Sequence, residues 1–334
     1  WFSYWRCHDK YASGAREMTE KSIYLSSWAL TEPDDIFYFY QPTWLNAWEA
    51  HMYERGLYGT RANGWGLKRF GVENDIYAPE RIRNPQYMPY LEAMEQVTDS
   101  ALQQMPTKER MKLMKSRTAF IYADSWGESG PFEKISSALH IATIDTLPKN
   151  LLKKFSITEP TCKIRGEKQA FVQALRMAQD YLAWDVFDNV VICAAYRAIP
   201  VLVFSEEDVG KPPKRLFPRR ADEVNLSVER VGCFILSQRE SAIRLQCGEY
   251  NSGTSPQHAT DIDVMAFSER RQMPSWPAAG VIDLVAHYGE SGCLTPALSM
   301  DYLTRHIQPG GKMRTVIADK QFGYHYFDLE YLEG

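Results

Sequence analysis

The sequence predicts an α/β protein whose helices cover mostly parallel β-sheets. Short apolar runs of the kind found in buried strands alternate with segments whose apolar residues recur at helical spacing. The same alternation occurs in both halves of the chain, which is typical of α/β architectures. The length of 334 residues suggests about two domains and is sufficient for a substantial buried core.

Charge and hydropathy argue against two classes of protein. Lys and Arg total 38 and Asp and Glu total 42, which gives a formal charge of −4 and no basic stripe for a nucleic-acid backbone. The chain has no run of 18 apolar residues, so we predict no membrane-spanning helix. Because the N-terminal segment lacks the apolar stretch of a secretory signal, we expect a cytoplasmic protein.

The first half supplies the clearest helices and strands. KSIYLSSWAL has strand character and ends at a Glu-Pro-Asp-Asp turn. Apolar residues at 91, 94, 97, 101, 102 and 105, and again at 171, 174, 175, 178 and 182, each define one face of a helix. Together with its flanking strands, the second of these helices forms a predicted βαβ unit. The predicted elements are strands at 21–30, 117–123, 155–161 and 190–195 and helices at 43–55, 90–105 and 171–182.

The second half repeats the alternation at a smaller scale. Its strands are short β-branched or aromatic runs, and a Pro-Gly-Gly turn at 309–311 separates the last helix from the final strands. Two further predicted strands, at 231–236 and 243–247, precede this repeat. The predicted elements of the repeat are strands at 280–285, 313–318 and 324–329 and helices at 261–271 and 294–306.

The six cysteines predict neither a disulfide framework nor a metal site. They stand at positions 7, 162, 193, 233, 247 and 293, without a Cys-x-x-Cys pair. Cys193 and Cys233 lie in apolar runs, where free thiols behave as small hydrophobic side chains. We therefore expect reduced cysteines, no metal and no cofactor.

The order of elements resembles the β-ketoacyl synthases of the thiolase superfamily, the condensing enzymes of fatty-acid and type II polyketide synthesis, and their chain-length-factor partners. The similarity is carried by segments such as KSIYLSSWALTEP, RTAFIYADSWGESGPF, SITEPTC, AHYGESG and FGYHYF. It implies a duplicated, five-layer αβαβα fold. We expect an N-terminal extension at residues 1–20, a first half at 21–242 and a shortened second half at 243–334.

The resemblance implies a thiolate nucleophile at the start of a buried helix, where the helix dipole and free N–H groups favour the charge. Cys162 precedes the predicted helix at 171–182 and is the candidate nucleophile. His287 in AHYGESG matches the second histidine of the family. Phe322, Gly323 and Tyr324 match its gating loop, and we consider His325 beside them as an unconventional base.

Two family positions are changed in this chain. Ser252 stands where the first histidine is expected, and His258 could replace it only in a remodelled loop. Ile282 stands where the supporting lysine is expected. Because that histidine and lysine stabilise the enolate formed on decarboxylation, their replacement predicts a chain that does not condense on its own.

Three hypotheses follow. The first is a chain-length-factor-type partner of an active β-ketoacyl synthase in a type II polyketide or fatty-acid system, similar to aryl-polyene assembly. The second is an active acyltransferase or condensing enzyme that forms an acyl thioester on Cys162. The third is an unrelated α/β binding protein. For the first two, we expect an acyl carrier protein and a ketosynthase heterodimer or a homodimer as partners.

Overall fold

The computed structural model describes most of the chain. The described residues are 22–34, 38–41, 43, 45–70, 88–125, 149–165, 168–206, 218–253, 256, 259–269, 280–319 and 323–333. Ten strands form one large mixed sheet and three form a small one. None of the helices in these ranges is long and apolar enough to cross a membrane.

The first half begins with a long strand and ends with an antiparallel partner of that strand. Its strands are β1 (Ile23–Thr31), β2 (Tyr38–Tyr40), β3 (Gly64–Lys68), β4 (Thr118–Ser125), β5 (Cys162–Arg165), β6 (Asn189–Tyr196), β7 (Val224–Val228) and β8 (Arg230–Ser237). Its helices are α1 (Ala47–Thr60), α2 (Met88–Gln104), α3 (Thr107–Lys115), α4 (Lys149–Lys153), α5 (Ala170–Ala183) and α6 (Pro200–Glu206).

The second half is shorter. Its strands are β9 (Ile243–Cys247), β10 (Val264–Phe267), β11 (Gly280–Asp283), β12 (Lys312–Asp319) and β13 (Gly323–Tyr331). Its α-helices are α7 (Leu284–Tyr288) and α8 (Leu298–His306), with a 3₁₀ turn at Gly292–Leu294 between them.

The two halves repeat one topology. The large sheet has the order β11-β10-β12-β13-β9-β1-β8-β6-β4-β5. In the first half, β5, β4 and β6 are parallel, and β8 runs antiparallel between β6 and β1. In the second half, β11, β10 and β12 are parallel, and β13 runs antiparallel between β12 and β9. The fold is therefore a duplicated, thiolase-like α/β architecture, as predicted.

Helix α5 lies between the two halves. Seven of its residues are buried, and it packs against strands of the first half and against β9 and β13 of the second. Helix α2 covers the opposite face of the first half through β1 and β8. Helix α8 lies on the same side of the second half as α5. The described residues therefore supply four of the five expected layers: α2, the strands of the first half, α5 with α8, and the strands of the second half.

Two predicted elements are wrong. Residues 155–161 form turns rather than a strand, because Phe155 packs into the core against Phe120 and Ser156 takes a left-handed φ of 58°. Residues 264–267 form strand β10 rather than part of a helix, because β11 and β12 flank this apolar run on both sides.

Candidate functional site

The candidate site lies where the parallel strands of the first half end. Strands β4, β5 and β6 terminate beside the start of α5, and carboxyl ends of parallel strands are the usual place for ligand sites in α/β folds. A loop of the second half, residues 289–295, reaches the same place, since the Cys293 backbone N–H donates to Ser125 Oγ at 2.9 Å. Both halves therefore contribute side chains here.

A largely buried lysine between two buried carboxylates occupies this junction. Lys168 Nζ lies 3.7 Å from Glu206 Oε1 and 3.5 Å from Glu290 Oε2. The side chains of Lys168, Glu206 and Glu290 are 15%, 4% and 5% exposed. Both carboxylates thus form ion pairs with the same ammonium, and we call the three residues the Lys168 cluster.

The position of Lys168 follows from the local chain path. Strand β5 ends at Arg165 and α5 begins at Ala170, so Lys168 lies just before the first turn of the central helix. Glu206 is the last residue of α6. A lysine placed at a helix start does not gain from the helix dipole, which favours anions there; the two carboxylates compensate for this.

Hydrogen bonds to its carboxylate and to its backbone hold Glu290 in position. Its Oε1 accepts from the Gly292 N–H at 2.9 Å and from Thr295 Oγ1 at 3.0 Å. Its backbone N–H donates to Leu226 O, and its carbonyl accepts from Val228 N–H, both at 2.8 Å on β7. The Glu290 carboxylate is thus preorganised toward Lys168 by the loop and by the small sheet.

Tyr196 extends the polar region into the core. The side chain is fully buried, and burial, with additional repulsion from Glu206 and Glu290, holds the pKa of its hydroxyl well above the usual value. The phenol is therefore neutral.

A second buried ion cluster borders the first. Glu229 Oε1 lies 3.5 Å from both Arg69 Nε and Arg197 Nε. Glu229 also accepts from the backbone N–H groups of Phe70 and Ala198, at 2.8 and 3.2 Å. These contacts join the small sheet to the end of β6 and give the region around the Lys168 cluster a rigid polar frame.

The structure does not place Cys162 where the sequence predicted it. Cys162 is the first residue of edge strand β5, beside Ile121 of β4. The predicted strand at 155–161 is displaced by seven residues, so the strand itself, not the helix, starts at Cys162. A strand of this length spans about 10 Å, and Cys162 stands at the end away from the α5 start. Cys162 therefore does not lie in the first turn of α5.

His287 lies on the surface of α7. Its ring packs against Tyr288, Tyr302 and His306, with centroid separations of 4.5, 5.8 and 6.0 Å. It lines an open groove of about 1450 Å³ between α7, α8 and the small sheet. Two residues separate it in sequence from Glu290, and it is Glu290, not His287, that reaches the cluster.

His325 belongs to a different neighbourhood on β13. Its Nδ1 lies 3.4 Å from Arg176 Nη1 of α5, and its ring packs against Tyr250 at 4.9 Å. Gly323 and Tyr324 begin β13, where the Tyr324 N–H donates to Asn251 O at 2.8 Å. Phe322 and His258 lie outside the described residues.

The structure describes both positions at which the sequence departs from the family pattern. Ile282 is on β11, paired with Ala266 of β10, and packs on the main core. Ser252 follows Asn251, whose side-chain oxygen accepts from the Gly253 N–H at 2.7 Å. In the described part of the chain, no group of three or more His, Cys, Asp or Glu side chains is placed to hold a metal ion.

Sequence reasoning missed the three residues of the Lys168 cluster. Lys168 was not identified because the preceding strand was predicted at 155–161, before its actual start at Cys162. The prediction therefore put a cysteine, not a lysine, beside the helix start. Glu206 and Glu290 are far apart in sequence. The one available signal was a charged residue two positions before a strongly apolar helix.

Comparisons with known proteins support the fold. No protein-family profile matches the chain. No curated protein sequence matches it either. Ketosynthase twelve of the bacillaene polyketide synthase from Bacillus amyloliquefaciens is 9% identical, with a TM-score of 0.56 over 94% of this chain and 76% of that one.

Two structures of OleA variants from Xanthomonas campestris are also similar. One is 10% identical with a TM-score of 0.55, over 93% of this chain and 99% of that chain. The other, with bound lauric acid and lauroyl-CoA, is 9% identical with a TM-score of 0.52, over 93% and 100% of the two chains. The chain therefore has the fold of the thiolase-superfamily condensing enzymes.

Proposed function

We propose that this chain is a ketosynthase-like subunit that does not condense by itself and acts as a chain-length-factor-type partner of an active β-ketoacyl synthase. The observation that carries the proposal is the Lys168 cluster at the start of α5. The thiolase-like fold supports this class of protein over an unrelated α/β binding protein.

The chemistry of the cluster supports a non-condensing role. Decarboxylation of a malonyl thioester builds negative charge that must be stabilised by nearby donors. Glu206 and Glu290 bring two buried carboxylates against one ammonium, so the junction disfavours additional negative charge. An ammonium group held by two carboxylates is also a poor nucleophile, because its lone pair is protonated.

The described thiols support the same conclusion. Burial raises the pKa of Cys293, in the loop of the second half, to about 12, and its Sγ contacts Ala195 O at 3.5 Å. Burial likewise raises the pKa of Cys247 to about 12. In the closed fold such thiols do not act as nucleophiles, because attack requires the thiolate.

A second candidate function is an acyltransferase that uses Cys162. One observation favours it: Cys162 is partly exposed, next to Lys163 on an edge strand. An accessible thiol can accept an acyl group without a helix start, although more slowly.

We propose that the chain works in the cytoplasm with an acyl carrier protein and pairs with a ketosynthase subunit or with a second copy of itself. The five described cysteines are free thiols, in keeping with a reducing compartment.

The proposal is tested by measuring carbon dioxide released from malonyl-carrier protein by the chain alone, by a catalytic ketosynthase alone and by the two together, with native mass spectrometry of the mixture. We expect no release by the chain alone, a stable complex with the ketosynthase, and release by the complex that survives Cys162→Ala in this chain. Rapid release by the isolated chain that is lost in Cys162→Ala but kept in Cys247→Ala would overturn the proposal and establish a condensing enzyme instead.

A further inference from the structure

Two buried cysteines face each other across the centre of the first-half sheet. Cys193 of β6 pairs directly with Cys233 of β8 in the antiparallel register. Both side chains point to the face covered by α2, in one core cluster with Val191, Ile235 and their neighbours. Both are fully buried.

The register places the two Cα atoms opposite each other, at a separation that a disulfide can span. Residues directly opposite each other in an antiparallel pair have Cα atoms about 4.5 or 5.5 Å apart. Disulfides span Cα separations of about 4.4–6.8 Å, so either spacing permits a bond without moving a strand. We propose that Cys193 and Cys233 are an oxidisable dithiol that a small-molecule disulfide converts to a cross-strand disulfide.

The reaction is a two-step thiol–disulfide exchange. A thiolate of the pair attacks the small disulfide and releases one small thiol, and the second thiolate then displaces the other, leaving the Cys193–Cys233 bond. The small disulfide is reduced to two thiols as the two cysteines are oxidised. Burial raises the pKa of Cys233 to about 12 and that of Cys193 well above its ordinary value, so exchange proceeds through transient opening of the sheet.

The bond would close a loop that carries part of the Lys168 cluster. Residues 194–232 include Glu206, which pairs with Lys168, and Glu229, which pairs with Arg197. Cross-linking the ends of this segment restricts the unfolded chain. The oxidised protein should therefore have a higher free energy of unfolding than the reduced one.

The test uses the wild-type chain with oxidised glutathione at pH 8.5, in urea below the unfolding transition. Free thiols are then blocked with N-ethylmaleimide, and the protein is digested without reduction and mapped by mass spectrometry. We expect a peptide pair joined through Cys193 and Cys233, two hydrogen atoms lighter than the sum of its thiol forms. The midpoint of thermal unfolding should rise by about 5 °C and fall back on reduction.

Cys247→Ala is the matched control, because it removes a buried thiol that faces Phe327 rather than a cysteine; it should form the same bond at the same rate. Cys233→Ala should leave Cys193 as a thiol or a glutathione adduct. If Cys193 and Cys233 of the wild-type chain are recovered as thiols or separate adducts at equilibrium, or joined to other cysteines, the proposal is overturned, whether or not the variants fold.

Discussion

The two halves of the molecule share one strand order but connect equivalent strands to their helices differently. In the first half, β5 ends at Arg165 and α5 begins at Ala170. In the second half, β11 ends at Asp283, and α7 and a 3₁₀ turn intervene before α8 begins at Leu298. The short connection presents a cation to the junction, and the long one presents a carboxylate. A repeated topology thus fixes where two chain segments meet, while the connections decide which charges meet there.

The largest effect is expected from removing the cation. Lys168→Met removes the ammonium that Glu206 and Glu290 share while both carboxylates stay buried, which should cost about 3–5 kcal/mol of unfolding free energy. Urea denaturation at pH 7 measures this loss. Lys163→Met, on the exposed side of β5, is the matched control and should change stability by less than about 0.5 kcal/mol. Equal losses in the two variants would show that the Lys168 cluster does not join the halves.

The connection of the second half depends on Gly289. Its φ is +83°, and an added Cβ would lie 2.9 Å from Val228 and 3.0 Å from Leu226. Gly289→Ala should therefore lower the free energy of unfolding by about 2–3 kcal/mol, as measured by urea denaturation. Gly310 has a similar φ of +90°, but the heavy atom nearest to an added Cβ there is a Glu333 carboxylate oxygen at 3.3 Å. Gly310→Ala should therefore lower the free energy of unfolding by about 1 kcal/mol. A larger loss at Gly310 would argue against close packing of the Gly289 turn on β7.

The buried thiol of the second-half loop predicts a pH dependence. Because burial raises the pKa of Cys293 to about 12, the folded chain keeps this proton when the unfolded thiol, with a pKa of about 8.5, has lost it. The stabilisation is complete below pH 8.5 and declines as the pH rises toward 12. Cys293→Ala should lower stability at neutral pH by leaving a small cavity, but its stability should fall less steeply between pH 8.5 and 10.5. Parallel curves for wild type and variant would show that Cys293 is accessible to water.

The smallest effect is expected at the far end of the sheet, away from the junction. Hydrogen bonds from Arg117 lower the pKa of Asp188, so this pair stabilises the fold above the unfolded pKa of Asp, about 3.9, and loses its effect as the pH falls through the folded value. Because both side chains are largely exposed, Asp188→Asn should lower the unfolding midpoint only slightly at pH 7 and not at all near pH 2. A loss as large as that of Lys168→Met would contradict the contrast between buried and exposed pairs.

The sequence predicted the fold better than the site. The apolar faces at 171–182 and 190–195 gave α5 and β6 almost to the residue, because burial on one face of a helix or both faces of a strand leaves a periodic pattern. Strand β5 carries no such pattern: its exposure alternates over only four residues at a sheet edge. Because this strand was predicted too early in the sequence, Cys162 was expected at the helix start and Lys168 was not identified. Glu206 and Glu290 could not be paired with Lys168 because their proximity arises from tertiary packing.

The central claim is that the junction holds an ion cluster in place of an acyl-accepting thiol. Intact-mass spectrometry of the chain after incubation with lauroyl-CoA tests it most directly. We expect the chain to keep its unmodified mass. A stoichiometric lauroyl adduct that disappears in Cys162→Ala and persists in Cys247→Ala would contradict it.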